Sequence, residues 1–365
     1  MSDKLRSSLF LLFACSLLLG GCASAPKPKP TKVLAFPEPP EEPRFFFERT
    51  ILSTGQVKQQ DDESRLKEML TGVSSRSGNA FGKPFDIAVH QGRLFITDTV
   101  HRAVLVMDYV QGKSFQIGDK GDEGDLSKPL GIAVDRNGTL FVCDSSLKSI
   151  MVYDRDGNFL RSIGNRDVFD RPSGIDVSPD GSRLFVVDTG GVRSEKHNIQ
   201  VFDAVTGELF NTIGTRGIKE GEFNLPRDVK LGKDGLLYVT DGGNFRVQVL
   251  TQEGDFVRTW GKPGSRFGQF SRPKGITTDK DGNIYAVDAA FGNFQIFKSD
   301  GQLLLFIGSR STTPGPAKYM LPAGIDIDED GRVYMVDQYF RKIEVYRPSG
   351  LAQNEGFLGI PEEDQ

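Results

Sequence analysis

The sequence predicts an all-β fold in which one four-stranded unit is repeated six times. Each copy has a proline just before its first apolar run and an aspartate at the end of its second. The prolines are Pro84, Pro129, Pro172, Pro226, Pro273 and Pro322, and the aspartates are Asp98, Asp144, Asp188, Asp241, Asp288 and Asp337. Consecutive aspartates are 44 to 53 residues apart. This spacing is typical of propeller blades, so the repeats predict a six-bladed β-propeller over residues 82–350.

Within a copy, short runs rich in Ile, Val, Phe and Tyr are separated by turn signals, as expected for strands. The first turn is an Asn-Gly or Asp-Gly pair at 137–138, 180–181, 234–235, 281–282 and 330–331. Glycine in such pairs accepts a positive φ, which suits a tight hairpin. A second glycine turn follows at 156–157, 253–254 and 300–301. Each copy therefore encodes four antiparallel strands, named a to d in chain order.

Two stretches resemble a known repeat. They are "PLGIAVDRNGTLFVCD", which begins at Pro129, and "DGGNFRVQVL", which begins at Asp241. Both are similar to the NHL repeat, whose consensus begins Pro-x-Gly-Ile-Ala-Val-Asp and ends Arg-Ile-Gln-Val-Phe. The resemblance recurs six times between residues 82 and 350. It implies a six-bladed β-propeller, in agreement with the repeat length.

The sixth copy has no clear strand d, and residues 44–81 offer one. The stretch "FFFERTIL" at 45–52 aligns with "FLRSI" at 159–163. An incomplete last blade would leave a bare edge, so we expect 45–52 to close blade six from the N-terminal side. A strand elsewhere, or "GFLGI" in the C-terminal tail 351–365, is the alternative. Residues 61–72 read as a short helix between the closing strand and blade one.

The chain begins with the features of a secretory signal peptide, residues 1–21. Lys4 and Arg6 precede an apolar run, 9–19, that is too short to span a bilayer as a helix. The following "LGGC" resembles the lipobox of bacterial lipoproteins, which implies cleavage before Cys22 and a lipid on Cys22. An ordinary signal peptide cut after "ASA" is the alternative.

The lipobox resemblance implies a membrane-anchored lipoprotein in the periplasm or at the cell surface. Ala23 in place of Asp favours the outer membrane. Residues 22–43 include seven prolines and are predicted to form an extended tether. Cys15 is lost with the signal peptide and Cys22 carries the lipid, so Cys143 is the one free cysteine. The mature chain can therefore form no intramolecular disulfide and depends on its core.

Carboxylates are the first candidates for chemistry. The aspartate repeated in every copy is expected to serve the blade by accepting backbone N–H bonds in the turn. Asp86 and Asp228 are different, because four copies have glycine at that position. They lie three blades apart, on opposite sides of the channel. Two carboxylates are a weak metal site, so we leave open a cation site and a structural role.

The turns between strands b and c differ among the copies and are predicted to emerge on one face. The last turn residues are Arg102, Lys148, His197, Phe245, Gly292 and Arg341, and copy three has a longer loop at 189–198. Basic and aromatic residues are common in binding sites, and in these turns they stand out against a formal net charge of −4. The predicted partner-binding residues are Arg102, Lys148, His197, Phe245, Arg246, Phe291 and Arg341. Ordinary solvated turns are the alternative.

Signatures of catalysis are poor. His90, His101 and His197 lack metal-ligand spacing, and no GxSxG or phosphate loop occurs. Related propeller folds include zinc-dependent peptide-amidating lyases and calcium-dependent lactonases, but neither ligand set maps onto this chain. Export and a pI of about 5.6 argue against nucleic acid. The sequence favours a binding or scaffold propeller without a cofactor, whose partner is an acidic protein segment or an anionic ligand. A metal-dependent lyase or lactonase-like enzyme is the alternative.

Overall fold

The computed structural model describes residues 33–57 and 78–359. The predicted signal peptide, Cys22 and the short helix predicted at 61–72 lie outside these ranges. Within them the chain is built from β-strands, with one 3-10 helix at Thr54–Val57. No helix in the described ranges is long and apolar enough to cross a membrane.

Two strands, β1 (Ala35–Phe36) and β2 (Phe45–Ile51), come before the first blade. Each of the first three blades is an antiparallel sheet of four strands that are consecutive in the chain. Blade one holds β3 (Pro84–His90), β4 (Arg93–Asp98), β5 (Ala103–Asp108) and β6 (Lys113–Ile117). Blade two holds β7 (Pro129–Val134), β8 (Leu140–Asp144), β9 (Ser149–Tyr153) and β10 (Phe159–Ile163). Blade three holds β11 (Pro172–Val177), β12 (Arg183–Asp188), β13 (Asn198–Asp203) and β14 (Leu209–Ile213).

Blades four to six continue the pattern. Blade four holds β15 (Pro226–Leu231), β16 (Leu237–Asp241), β17 (Arg246–Leu250) and β18 (Phe256–Trp260). Blade five holds β19 (Pro273–Thr278), β20 (Ile284–Asp288), β21 (Asn293–Phe297) and β22 (Leu303–Ile307). A short parallel pair, β23 (Ser309–Arg310) and β24 (Lys318–Tyr319), follows. Blade six holds β25 (Pro322–Ile327), β26 (Val333–Asp337) and β27 (Lys342–Pro348).

The blades form a closed ring around a central channel. Strand a of each blade contacts strand a of the next, and β25 contacts β3. Apolar clusters fill the spaces between neighbouring blades. Strands b and c, such as β8 and β9, are buried along their whole length because a blade covers each of their faces. The predicted six-bladed propeller is confirmed.

Blade six takes its outer strand from β2. This strand pairs antiparallel with β27, Phe47 lying opposite Tyr346. In blade two Phe159 lies opposite Tyr153, and in both blades a bulge follows that pair. The closing strand therefore has the register of an ordinary strand d, and it covers the edge that β27 would otherwise expose.

Glu48 fixes the closing strand to blade six. It is the bulge residue of β2, and its side chain is 1 % exposed. Its carboxylate binds Arg332 Nε at 2.8 Å and Arg49 Nη2 at 2.8 Å. Arg332, fully buried, also donates to the carbonyl of Glu355. One ion-pair network thus joins the N-terminal strand, blade six and the start of the C-terminal tail.

Two predicted flanking segments pack onto the propeller. The prediction of an extended tether through residue 43 is wrong in its last part, because β1 pairs with the outer edge of β2. There the ring of Phe36 lies 5.8 Å from that of Tyr346, edge to face. Leu358 in the predicted tail is 2 % exposed and belongs to the core between blades six and one. Apolar burial accounts for both differences.

The aspartate that ends each strand b serves its blade, as predicted. Asp144 is fully buried and accepts four backbone N–H bonds. Two come from the link before strand a, at Ser127 and Lys128, and two come from the b–c turn. Asp98, Asp288 and Asp337 each bind backbone N–H groups on both sides in the same way. We call the six residues of this position the blade aspartates.

Candidate functional site

The b–c face is the face on which the b–c turns lie and strand a of every blade begins. At its centre is a cavity of about 160 Å³, which we call the channel mouth. Its two halves differ. Blades three to five contribute Arg171, Arg227, Arg272 and Lys274, which we call the mouth cations. Blades one, two and six contribute the apolar side chains of Phe85, Leu130 and Ala323.

The start of strand a places the mouth cations. Proline there fixes φ and lacks an N–H, so its neighbours leave the regular ladder. Arg227 follows Pro226 at a break in the pairing of β15 with β16, and Lys274 follows Pro273 at a similar break. Such bulges redirect side chains. Arg227 and Lys274 therefore reach the channel.

The blade aspartates hold the backbone of the other two cations. The N–H of Arg171 donates to Asp188 at 2.8 Å, and that of Arg272 donates to Asp288 at 3.0 Å. Both arginine side chains are exposed at the rim of the mouth. A contact common to all blades thus supports side chains that differ between blades.

The mouth cations form no ion pair among the described residues, although the chain as a whole is acidic and Asp86 and Asp228 line the same cavity. Burial, together with the positive charges of Arg272 and Arg227, lowers the pKa of Lys274 to about 8. Burial, with Arg171 and Arg272 nearby, also lowers the pKa of Arg227. Like charges are therefore held together at the mouth, which favours binding of an anion.

Asp86 and Asp228 form the floor of the mouth. They are the two residues that line both the mouth and a deeper cavity of about 130 Å³. Asp86 accepts the N–H of Ile132 at 3.2 Å, and Asp228 accepts that of Ile276 at 3.0 Å. Each carboxylate thus binds strand a of the next blade.

Glycine on the preceding blade makes room for each of these carboxylates. A Cβ at Gly324 would lie 2.2 Å from Asp86 Oδ1, and one at Gly174 would lie 2.5 Å from Asp228 Oδ1. Burial raises the pKa of Asp86 to about 7. Burial and the charge of Asp86 raise the pKa of Asp228 well above its usual range. We call Asp86 and Asp228 the channel aspartates. Each carboxylate accepts few hydrogen bonds, and its ionised form is unfavourable in the folded protein.

The deeper cavity contains a charge cluster of one lysine, Lys230, and two aspartates, Asp176 and Asp326. Lys230 Nζ donates to Asp176 at 3.1 Å, and the charge of Asp326 also stabilises the ammonium. Both aspartates accept further bonds, from the N–H of Leu231 and that of Val89. These contacts link blades three and four and blades six and one, which is a structural role.

The predicted cation site at Asp86 and Asp228 gains no third His, Cys, Asp or Glu ligand from the described part of the chain. Among residues 33–57 and 78–359, no group of three His, Cys, Asp or Glu side chains is placed to hold a metal ion. Of the three histidines, His90 contacts Glu329 and His101 contacts the carbonyl of Ala80. The contacts of the two aspartates with the described residues fit a structural role, in which each carboxylate links its own blade to the next.

The predicted b–c turn residues share a backbone conformation. Arg102, Lys148, Phe245 and Arg341 have φ between 53° and 58°, and Gly292 has φ 66°. They end the turn in the left-handed region. Arg102 and Arg341 are exposed on the face, Lys148 and Phe291 are partly exposed, and Phe245 packs partly into the core.

Two of the predicted partner-binding residues have structural roles instead. His197 is fully buried, since its ring contacts the carbonyl of Gly191 and the N–H of Leu225. Arg246 donates to Asp241 at 2.9 Å and to the carbonyls of Lys219 and Glu222. Both side chains complete their own blade, so the prediction that they face a partner is wrong.

The longer loop of blade three forms one wall of a cleft on the b–c face. The cleft, of about 650 Å³, lies between blades two and three and includes Lys128, Lys148 and Arg193. Asp170 also lines it and binds the hydroxyl of Ser194. We call this the basic cleft. It opens beside Arg171, so it is continuous with the channel mouth.

Sequence reasoning missed the mouth cations because it compared only the b–c turns. A signal was available at the blade prolines. The residue before the proline is basic in four copies, at Lys83, Lys128, Arg171 and Arg272. The residue after it is basic in copies four and five. Aligning these positions would have shown a positive ring around the channel.

Comparisons with known proteins agree with this architecture. Residues 223–250 match the family model described as NHL repeat, and residues 73–173 match the model described as 6-bladed beta-propeller. The chain is a six-bladed β-propeller that carries an NHL repeat.

Solved structures similar to this NHL propeller include enzymes and a protein of unknown function. The virginiamycin B lyase of Staphylococcus aureus has a TM-score of 0.53 at 15% identity, over 73% of this chain and 94% of its own. A gluconolactonase of Xanthomonas campestris has a TM-score of 0.54 at 18% identity, over 73% and 86%. A Bacteroides thetaiotaomicron protein of unknown function has a TM-score of 0.57 at 17% identity, over 82% and 77%. At these identities the likeness establishes the fold alone.

Proposed function

We propose that this NHL propeller is a binding module that holds an acidic segment of a partner protein on its b–c face. A lipid on Cys22 anchors it to a membrane, facing the periplasm or the cell surface. The observation that carries the proposal is the set of basic side chains on this face that are in no ion pair among the described residues. Beyond the mouth cations the set includes Lys83, Arg102, Lys128, Lys148, Arg193 and Arg341.

The charge distribution supports an acidic partner. The chain has a formal net charge of −4, so positive charge on one face requires that negative charge lie elsewhere. A cationic cleft steers an acidic segment toward itself and suppresses encounters with basic ones. The ring of blades holds these side chains on a rigid surface, which lowers the ordering cost of binding.

The proposal is tested with a fluorescent oligoglutamate peptide, followed by anisotropy, and with oligolysine as the control peptide. Oligoglutamate should bind, and tenfold higher salt should weaken the binding because the Debye length falls to about 3 Å at 1 M. Lys128→Ala/Lys148→Ala/Arg193→Ala should weaken binding about tenfold or more. The matched control replaces exposed lysines of the opposite face, Lys113→Ala/Lys280→Ala/Lys298→Ala. Equal loss in both variants would refute the b–c face as the binding surface.

The anchor has its own test. The wild-type chain should take up labelled fatty acid and fractionate with membranes, and Cys22→Ala should do neither. Two or three acyl chains are needed for stable anchoring, since a single chain binds only marginally. A wild-type protein that stays unlabelled and soluble would refute the lipoprotein part and leave the binding face untouched.

An enzyme of the lyase or lactonase-like class is the second candidate. It is favoured by the raised pKa values of Asp86 and Asp228, which would suit acid–base chemistry in the channel. Stoichiometric metal in the purified full-length protein, lost in Asp86→Asn/Asp228→Asn, would favour this candidate over the binding module.

A further inference from the structure

The channel mouth differs from the rest of the b–c face in shape and in chemistry. The basic cleft is wide and open, whereas the mouth is a smaller cavity with a floor at Asp86 and Asp228. A peptide can lie along the cleft, but the mouth has room for one small group. The mouth is therefore a distinct site that adjoins the cleft at Arg171.

The charge of the mouth sets the charge of its ligand. The lining has four cations, Arg171, Arg227, Arg272 and Lys274, and two carboxyl groups. With both carboxyl groups ionised the lining has an excess of two positive charges, and protonation of either increases it. A dianion neutralises that excess, whereas a single carboxylate leaves at least one charge unpaired. Arginine suits this task because its planar fork matches the oxygens of a phosphate.

The other half of the mouth sets the shape of the ligand. Phe85, Leu130 and Ala323 face the cations across the cavity. They follow the blade proline in blades one, two and six, at the position that holds Arg227 in blade four and Lys274 in blade five. The mouth is therefore amphipathic across its width. A ligand that fills it has an anionic group at one end and an apolar group at the other.

We propose that the channel mouth binds a small organic phosphate monoester, with its phosphate between Arg227 and Lys274 and its apolar substituent against Phe85. Arg171 and Arg272 at the rim add two further donors to the phosphate. This site goes beyond the proposed function, because it takes a small molecule and does not need the acidic partner. The phosphate brings together four positive charges that otherwise repel one another.

The test is calorimetric titration of the full-length protein with phenyl phosphate, inorganic phosphate and benzoate. Phenyl phosphate should saturate one site per chain. Inorganic phosphate should bind more weakly for lack of the apolar contact, and benzoate should bind at least about tenfold more weakly than phenyl phosphate because it is a monoanion. Absence of saturable binding by phenyl phosphate, or equal binding of benzoate, would overturn the proposal.

Three variants separate the two halves of the site. Arg227→Met/Lys274→Met should reduce the affinity for both phosphates about thirtyfold or more. Phe85→Ala should remove the advantage of phenyl phosphate over inorganic phosphate and leave inorganic phosphate unchanged. Lys113→Met/Lys280→Met on the opposite face is the matched control and should bind as the wild type does. Full binding by the Arg227/Lys274 variant would place the phosphate elsewhere.

A single exposed variant covers failure to fold. Arg272→Ala changes a side chain that has no ion pair among the described residues and does not line the basic cleft, so it should fold normally and weaken phosphate binding about threefold or more. Oligoglutamate binding is measured on the same samples. Loss of phosphate binding with retention of the peptide shows two separate sites. Loss of oligoglutamate binding in Lys128→Ala/Lys148→Ala/Arg193→Ala, with phosphate binding intact, would show the same separation.

Discussion

The blade aspartates and the channel aspartates are the same residue type in opposite surroundings. Asp144 is fully buried and accepts four backbone N–H bonds, so its negative charge is matched by donors on both oxygens. Asp86 accepts one N–H from the next blade, and burial raises its pKa to about 7. Asp144 thus stabilises the fold through four backbone hydrogen bonds, whereas Asp86 retains a charge that the fold disfavours.

This difference follows the repeat. A residue present in all six copies meets the same neighbours in each blade, and its role is structural. A residue present in two copies, such as Asp86 and Asp228, stands where the copies diverge, around the channel. The two sets are coupled, because the blade aspartates hold the backbone of Arg171 and Arg272. These two mouth cations, which differ between blades, are thus positioned by the blade aspartates, which are the same in every blade.

The largest expected effect comes from removing β2, the outer strand of blade six, which lies far from the rest of that blade in the sequence. Deleting residues 35–55 removes β2, exposes β27 and leaves the buried Arg332 without the carboxylate of Glu48. We expect the melting temperature to fall by more than about 10 °C, with aggregation. Deleting residues 23–34 leaves these contacts and should change the melting temperature little. Equal melting temperatures for the two deletions would show that β2 is not needed to close the ring.

Asp144→Asn should destabilise the protein by about 3–5 kcal/mol, measured by urea denaturation. The amide is isosteric, but its NH₂ group would face two backbone N–H donors that the carboxylate now accepts. The cost is high because these donors are buried. A loss below about 1 kcal/mol would mean that the four bonds have little net value.

Asp86→Asn should have the opposite sign and a smaller size. The unfolded chain loses this proton near pH 3.8, whereas the folded chain keeps it to about pH 7. Between these values the folded state binds more protons, so wild-type stability falls as pH rises, and the penalty is complete above pH 7. The variant should therefore be more stable at pH 8 by about 2 kcal/mol, after discounting for solvent in the channel.

The control for this pH profile is the exposed Asp119→Asn, which should leave it unchanged. The gain from Asp86→Asn should shrink toward zero at pH 4, where the folded wild-type carboxyl is protonated and the ionisation penalty is nearly gone. A variant that is less stable than the wild type at pH 8 would mean that the ionised Asp86 stabilises the channel.

The smallest effects separate two arginines of the b–c turns. Arg246→Ala should cost about 1–3 kcal/mol, since Arg246 binds Asp241 and two carbonyls. Arg102→Ala, at an exposed turn position, should change stability by less than about 0.5 kcal/mol. Chemical denaturation of the two single variants makes the comparison. Similar costs would mean that burial does not distinguish the two arginines.

Much of the fold could be predicted because its signals are local and repeated. Prolines, turn glycines and apolar runs recur in each copy, and the match of residues 45–52 to strand d was readable in the same way. The opposed positions of Asp86 and Asp228 followed from counting blades. The structural role of the blade aspartates followed from their presence in every copy.

The site could be predicted only in part because it depends on contacts between distant residues. His197 and Arg246 look like surface turn residues in the sequence, and only the neighbouring loops show that they are buried or ion-paired. The channel mouth combines side chains from six separate strands. Its amphipathic division depends on which blades stand opposite each other, which no single repeat encodes.

The central claim is that the residues of the mouth that differ between blades serve binding and do not stabilise the fold. Its most direct test is the melting temperature of Arg227→Met/Lys274→Met without ligand. Removing two crowded cations should raise it, by about 2 °C or more. The gain should shrink between about pH 8 and pH 10.5, because Lys274 of the folded wild type loses its proton near 8 and the unfolded chain near 10.5. A variant that melts below the wild type would contradict the claim, since the mouth cations would then stabilise the fold.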